Sequence, residues 1–249
     1  MRLTVISSGS AGNCYVLQGK GSALVIECGV KPETAIRQTG IVPSQVAACL
    51  VSHEHGDHAA YAGRWAAYGI PVAATAGTLA AVGLDKRSGC RALARMSVTR
   101  IGEWTVRAFD VIHDAAEPAG FIIEHPDCGR ILFVTDTRYV PYTFRGLALD
   151  HIMVEANYSD DILDEKVEDG SLDIARAARV RKTHMSLQSA CELVKANQTA
   201  NLKTVVLVHL SSGNGDPKYF AKKAAETAPF AKIYVAAAGL AIELNKSEI

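Results

Sequence analysis

The sequence predicts a mixed α/β fold in which helices cover β-sheets from outside. Three observations carry that expectation. Short apolar, β-branched runs recur along the whole chain, and helical candidates fall between most of them. One stretch, 102–136, instead places three strand candidates in succession with no room for helices. Alternation of this kind is the pattern of layered α/β domains, and successive short strands without helices read as an antiparallel meander.

Taken in order, the strand candidates are LTVI (3–6), ALVIEC (23–28), ACLVS (48–52), TVRAFDVI (105–112), FIIE (121–124), ILFVTD (131–136), HIMVE (151–155) and TVVLVHL (204–210). Several are continuously apolar, which indicates strands covered on both faces. Helical candidates lie at 31–39, 59–68, 76–83, 187–198 and 217–228. The last begins with Asp216 as N-cap and Pro217 at the first helical position, a strong start signal. The stretch 158–182 is less regular: acidic at 160–169, then basic at Arg176, Arg179, Arg181 and Lys182. It reads either as an insertion carrying substrate contacts or as a solvated helix.

The chain's 249 residues, 49% hydrophobic and 21% charged, suit a globular protein with a large core. With no low-complexity linker, residues 1–249 are expected to form one domain. No apolar run approaches the roughly 20 residues of a membrane span, and MRLTVISSGS is too short in apolar residues for a signal-peptide core. A cytoplasmic location without membrane partners is the expectation. Six scattered cysteines form no CxxC pair, which excludes zinc ribbons and thioredoxin-type redox motifs. The 26 basic and 26 acidic residues cancel, so a generally basic nucleic-acid-binding surface is absent.

The chemistry concentrates in VSHEHGDH (51–58), where His53, His55, Asp57 and His58 crowd six positions. Imidazole and carboxylate are zinc ligands. Neither a regular helix nor an extended strand converges side chains spaced 2, 2 and 1 apart, so a loop curling off the strand at 48–52 is required. Gly56 gives that loop backbone freedom. HExxH is excluded because Asp57 stands where the second histidine is needed, and HxExDH is excluded because His55 stands where it needs glutamate.

HEHGDH resembles the HxHxDH signature of the metallo-β-lactamase superfamily. His113 in VIHDAAEP, Asp136 in FVTDTR and His209 in LVHLSSGNGDP match that family's later ligands in order. The resemblance implies a four-layer αββα sandwich with two mixed β-sheets and a dinuclear metal site between them. One ion would take His53, His55, His113 and Asp136; the other would take Asp57, His58, Asp136 and His209. Two zinc ions are implied, with manganese or iron as alternatives for such ligands. The flanking SSGSAGNCYVL (7–17), HDAAEPAGF (113–121), VEAN (154–157), THMS (183–186) and HLSSGN (209–214) look like the YycJ/WalJ subgroup, which is similar to ribonuclease Z and cyclic-phosphate phosphodiesterases. One departure is Glu27, where the family usually has aspartate.

The activity implied is phosphodiester hydrolysis of DNA or RNA by a metal-bridging hydroxide. Asp57, His184 and Glu155 are expected to carry catalysis, the last two as a Glu–His pair protonating the leaving group. Two alternatives remain open: a phosphodiesterase for a cyclic nucleotide or other small cyclic phosphate, and a catalytically inactive metal-binding regulatory protein. Asn13, in the Gly/Ser loop 7–13, and Arg181 and Lys182 are candidate substrate contacts. The plainer reading of that loop, a Gly/Ser turn between the first two strands, is the favoured one. His125 and His151 are expected to be structural, Asp114 is either a partner to His113 or an ordinary loop carboxylate, and a homodimer is suggested by the resemblance alone.

Overall fold

The structure is a computed structural model that describes residues 1–246. Two seven-stranded sheets face one another. The first contains β1 (Arg2–Ser7), β2 (Cys14–Gln18), β3 (Ala23–Ile26), β4 (Val46–Leu50), β5 (Val72–Ala74) and β6 (Arg91–Ala92). The second contains β7 (Val98–Ile101), β8 (Trp104–Asp110), β9 (Ala119–His125), β10 (Gly129–Val134), β11 (His151–Glu155), β12 (Thr204–Val208) and β13 (Lys232–Val235). The last strand, β14 (Ala241–Glu243), returns to the first sheet beside β1. Each sheet is antiparallel from one edge through its fourth strand, then parallel to the other edge. The meander expected over 102–136 is β8–β9–β10.

Side-chain alternation along the strands divides the core into layers. Leu3, Val5, Tyr15, Leu17, Leu24 and Ile26 from the first sheet meet Trp104, Val106, Phe121, Ile123 and Phe133 from the second in a central layer. Neighbouring residues such as Val16, Val25 and Cys49 point the other way, onto α1 (Pro32–Thr39), α3 (Ala62–Ala67) and α4 (Ala76–Ala81). On the far side, Ile122, Leu132, Val134 and Ile152 pack against α7 (Leu187–Asn197) and α8 (Pro217–Thr227). Both faces of the central strands are thus apolar, which explains the unbroken hydrophobic runs. The architecture is the four-layer αββα sandwich. No helix among the described residues is long and apolar enough to cross a membrane.

All eight strand candidates form strands. The candidate helix 59–68 is divided into α2 (Gly56–Ala59) and α3. The irregular stretch becomes two helices, α5 (Asp160–Glu168) and α6 (Ile174–Thr183). They enclose a small core of their own, formed by Tyr158, Leu163, Leu172 and Ala177. Asp216 caps α8 as expected, its carboxylate accepting from the amides of Lys218 and Tyr219.

Candidate metal centre

The strands β3, β4, β8, β10, β11 and β12 all run in one direction across the sandwich, so their carboxyl ends open on one edge. There the chain leaves each strand into a loop bearing a polar residue: Glu27 after β3, residues 53–58 after β4, His113 after β8, Asp136 after β10 and His209 after β12. Glu155 ends β11 itself. Crevices at strand carboxyl ends are where open α/β sheets place their sites.

The side chains converge in three groups sharing Asp136, one of them with Glu155, His184 and His209 and the other two built around the histidine loop. Donor atoms of His53, His55, His113 and Asp136 lie within 4.8 Å of one another, as do those of Asp57, His58, Asp136 and His209. Asp136 divides its oxygens between these two sets. Oδ2 lies 3.8 Å from His53 Nε2 and 3.7 Å from His113 Nε2. Oδ1 lies 3.4 Å from His58 Nε2 and 3.1 Å from His209 Nδ1. Asp57 Oδ2 completes the second set at 3.3 Å from His58 Nε2 and 3.1 Å from His209 Nε2.

The donors fit divalent metal. His53 Nε2, which faces Asp136 Oδ2, is buried without a hydrogen-bond partner among the described residues, and orphaned buried polar atoms are rare in folded proteins. His113 Nε2 and His55 Nδ1 stand 3.1 Å apart, close to the about 3.3 Å that two imidazole ligands span on one tetrahedral zinc. Burial holds His53 well below and His113 below the ordinary imidazole range, so both are neutral, the form that ligates. Burial opposes charge on His58 and His209 too, but the surrounding carboxylates prevail. Asp136 and Glu27 drive His58 well upward, and Asp136, Asp57 and Glu155 raise His209 to about 10.

A second tier of contacts fixes this geometry. Gly29 is the closest point: a Cβ there would lie 1.9 Å from the Asp57 carbonyl oxygen, so only glycine fits. The Cys28 amide donates to His58 O at 2.6 Å and the Asn13 amide to Asp57 O at 2.7 Å. Ser52 Oγ meets His53 Nδ1 at 2.9 Å, and Thr135 Oγ1 donates to Asp136 Oδ1 at 2.8 Å. Glu27 accepts from the Ser52 amide at 3.4 Å and lies 3.5 Å from His58. Its longer side chain relative to aspartate still reaches the loop. Glu27, Asp136 and His209 all take left-handed backbone conformations, with φ of 69°, 45° and 53°. Such conformations are costly for non-glycine residues and persist where the surroundings over-determine them.

Glu155 is fully buried and fully engaged. Oε1 meets His184 Nδ1 at 2.7 Å and His209 Nδ1 at 3.1 Å, while Oε2 accepts from the amides of Thr137 and Met185. Burial works against charge on His184, but the Glu155 carboxylate outweighs it and raises its pKa. His184 ends α6 and lines a cavity of about 460 Å³ above the cluster, shared with His55, Asp57, His113, Asp136 and His209. Asp114 is also on that wall.

The candidate substrate contacts are placed elsewhere. Asn13 is 1% exposed and off the cavity wall. Its side chain reaches Asp57 and His58, so it braces the histidine loop. Arg181 also lies off the wall, drawn by Asp160 and Asp164 on α5, and Lys182 is exposed away from the cavity. Arg176 and Arg179 line the cavity instead. His125 packs on Trp104 at 4.4 Å, and His151 bonds the Cys128 carbonyl oxygen, both far from the cluster in structural positions.

Fold and ligand pattern together define a metallohydrolase sandwich, and residues 8–177 match the family model of the metallo-β-lactamase superfamily. The chain belongs to that superfamily, whose members bind divalent metals. Among curated relatives it is 27% identical over 227 residues to exodeoxyribonuclease WalJ of Streptococcus pneumoniae, covering 86% of this chain and 82% of that one. It is also 27% identical over 224 residues to exodeoxyribonuclease YycJ of Bacillus anthracis, covering 86% and 84%. Among solved structures it is similar to the metallo-β-lactamase fold protein YhfI from Bacillus subtilis, with a TM-score of 0.74 and 19% identity over 97% of this chain and 98% of that one.

Proposed function

We propose that the chain is a dinuclear, zinc-dependent phosphodiesterase that hydrolyses the backbone of DNA or RNA. The observation that carries this reading is the division of the Asp136 oxygens between two histidine sets. The exodeoxyribonuclease names of two relatives matching 86% of the chain favour DNA. His53, His55 and His113 would hold one ion, Asp57, His58 and His209 the other, with Asp136 between them. Bound there, two ions would acidify a water and neutralise charge on the phosphoryl oxygens. Zinc suits a ligand set of five histidines and two aspartates.

The chain's own residues supply the rest. Asp57 holds His58 and His209 in register from a loop fixed by Asn13 and Gly29. His184 faces the cavity with Nδ1 held by Glu155, leaving Nε2 to donate a proton to the departing oxygen. Glu155 keeps that ring oriented and charged. All six cysteines are unpaired, in keeping with the reducing conditions of a cytoplasmic location.

The test is a panel assay of zinc-loaded protein against linear single-stranded DNA, RNA, cyclic nucleotides and bis(p-nitrophenyl) phosphate. The reading requires cleavage of at least one of the linear polymers. Hydrolysis confined to cyclic nucleotides would move the assignment to a small-substrate phosphodiesterase, and bound zinc with no hydrolysis would leave a regulatory metal-binding protein.

A further inference from the structure

Helix α6 separates its basic residues by face. Arg176, Arg179, Val180 and Thr183 follow the i, i+3, i+4, i+7 spacing of one helical stripe, and all four line the cavity above the metal centre. Arg181 is about 140° round the helix from Arg176 and about 200° from Arg179, where it engages Asp160 and Asp164. Arg176 and Arg179 have no carboxylate within ion-pair distance among the described residues, whereas Arg181 on the same helix has two. Two guanidinium groups without an ion-pair carboxylate therefore line the same cavity as the histidine cluster. The candidate ligands line that cavity too, so it offers one set of groups suited to metal and another suited to a free anion.

The helix is held in that position. Arg181 ties α6 to α5, and the Ser159 amide donates to the Asn214 carbonyl oxygen at 3.1 Å. Lys166 donates to the neighbouring Gly213 carbonyl oxygen. Asn214 itself lines the cavity, so the arm is anchored at the cavity rim and its arginines have a fixed direction of approach.

Resting on the phosphodiesterase reading above, we propose that Arg176 and Arg179 bind a second phosphate of the substrate, one adjoining the scissile diester. Guanidinium groups suit this because their planar fork donates two parallel hydrogen bonds to phosphate oxygens. The pair makes the enzyme selective for strands carrying a neighbouring phosphate over an isolated diester. It accounts for polyanion recognition by a chain of zero net charge: the positive charge is local and faces inward instead of covering the surface.

The test compares dithymidylate phosphorylated at both ends with the unphosphorylated dinucleotide, using wild type and the double variant R176Q/R179Q. Both positions are exposed, so the variant retains the fold. Equilibrium binding is measured first by titration calorimetry with a chelator present, which reads the arginines independently of turnover. Wild type should bind the phosphorylated form about tenfold or more tightly, and the variant should bind both forms alike. With zinc restored, kcat/KM should show the same preference in wild type and lose it in the variant. Equal binding of the two dinucleotides by wild type, or an undiminished preference in the variant, would overturn the proposal. A binding preference without hydrolysis of any diester would instead refute the phosphodiesterase reading and leave the phosphate site standing.

Discussion

The histidine loop at 53–58 and the helical arm at 158–183 face each other across one cavity, yet they are held in different ways. The loop is fixed by backbone: amides of Asn13 and Cys28 grip the Asp57 and His58 carbonyl oxygens, and Gly29 leaves no room for even a methyl group. The arm has a satellite core of four buried residues and exposed ion pairs. Buried close packing tolerates little change, whereas exposed ion pairs contribute about 0–1 kcal/mol each. The contrast suits the roles proposed for the two regions. Metal ligands need positions fixed to fractions of an ångström, and substrate selection can reside on an element that is attached more lightly.

Substitutions on the two sides should separate accordingly. The largest effect is expected from His184→Ala, where the arm meets the centre: kcat should fall about 100-fold or more on substrates with a poor leaving group, with zinc content unchanged by mass spectrometry. A leaving group that needs no proton, such as p-nitrophenolate, should restore much of the rate. Unchanged turnover of DNA would remove His184 from the reaction. Gly29→Ala comes next. Displacing the Asp57 backbone should destabilise the fold by about 1–3 kcal/mol and weaken zinc binding, seen in denaturant melts and metal titration. Wild-type behaviour in both would show that the loop is more pliable than its packing implies.

A histidine outside the centre shows burial outweighing a nearby carboxylate and a carbonyl hydrogen bond. His151 opens the strand that Glu155 closes, and burial lowers its pKa from 6.5 to about 4. Between those values the unfolded chain takes up a proton that the folded chain refuses. Its contribution to stability is therefore intact above pH 6.5 and declines by about 1.4 kcal/mol per unit as pH falls toward 4. His151→Gln should show a shallower loss than wild type over that window in denaturant titrations; equal slopes would contradict the assignment. The smallest effect belongs to the arm. Arg181→Gln should change global stability by less than about 1 kcal/mol while raising KM for DNA through a displaced α6. A large loss of stability would mean that the arm is as tightly integrated as the loop.

These two regions also differed in how much their sequence revealed. The ligand loop was legible because its donors are nearly consecutive letters, and His113, Asp136 and His209 sit just past recognisable apolar strands. The layered fold was legible for the same reason, since strands buried on both faces are continuously apolar. The short strands β5, β6, β7, β13 and β14, of two to four residues, lay beyond that signal. The role of Asn13 was hidden because its partners lie 44 and 45 positions away. The arm misled most. Its four basic residues read as one patch until the phase of α6, set by the Asp173 cap on the Arg176 amide, divided them between two faces. The signal that could have found this was the i, i+3 spacing of Arg176 and Arg179 counted from that cap.

The shared aspartate gives the most direct test of the account. Zinc-loaded wild type and Asp136→Ala would be compared by native mass spectrometry for bound metal and by release of nucleotides from labelled single-stranded DNA. Two zinc ions per wild-type chain with steady hydrolysis are expected, and the variant should hold fewer ions and lose about a thousandfold or more in rate. A two-zinc variant that still cleaves DNA, or a two-zinc wild type that cleaves no nucleic acid, would contradict it.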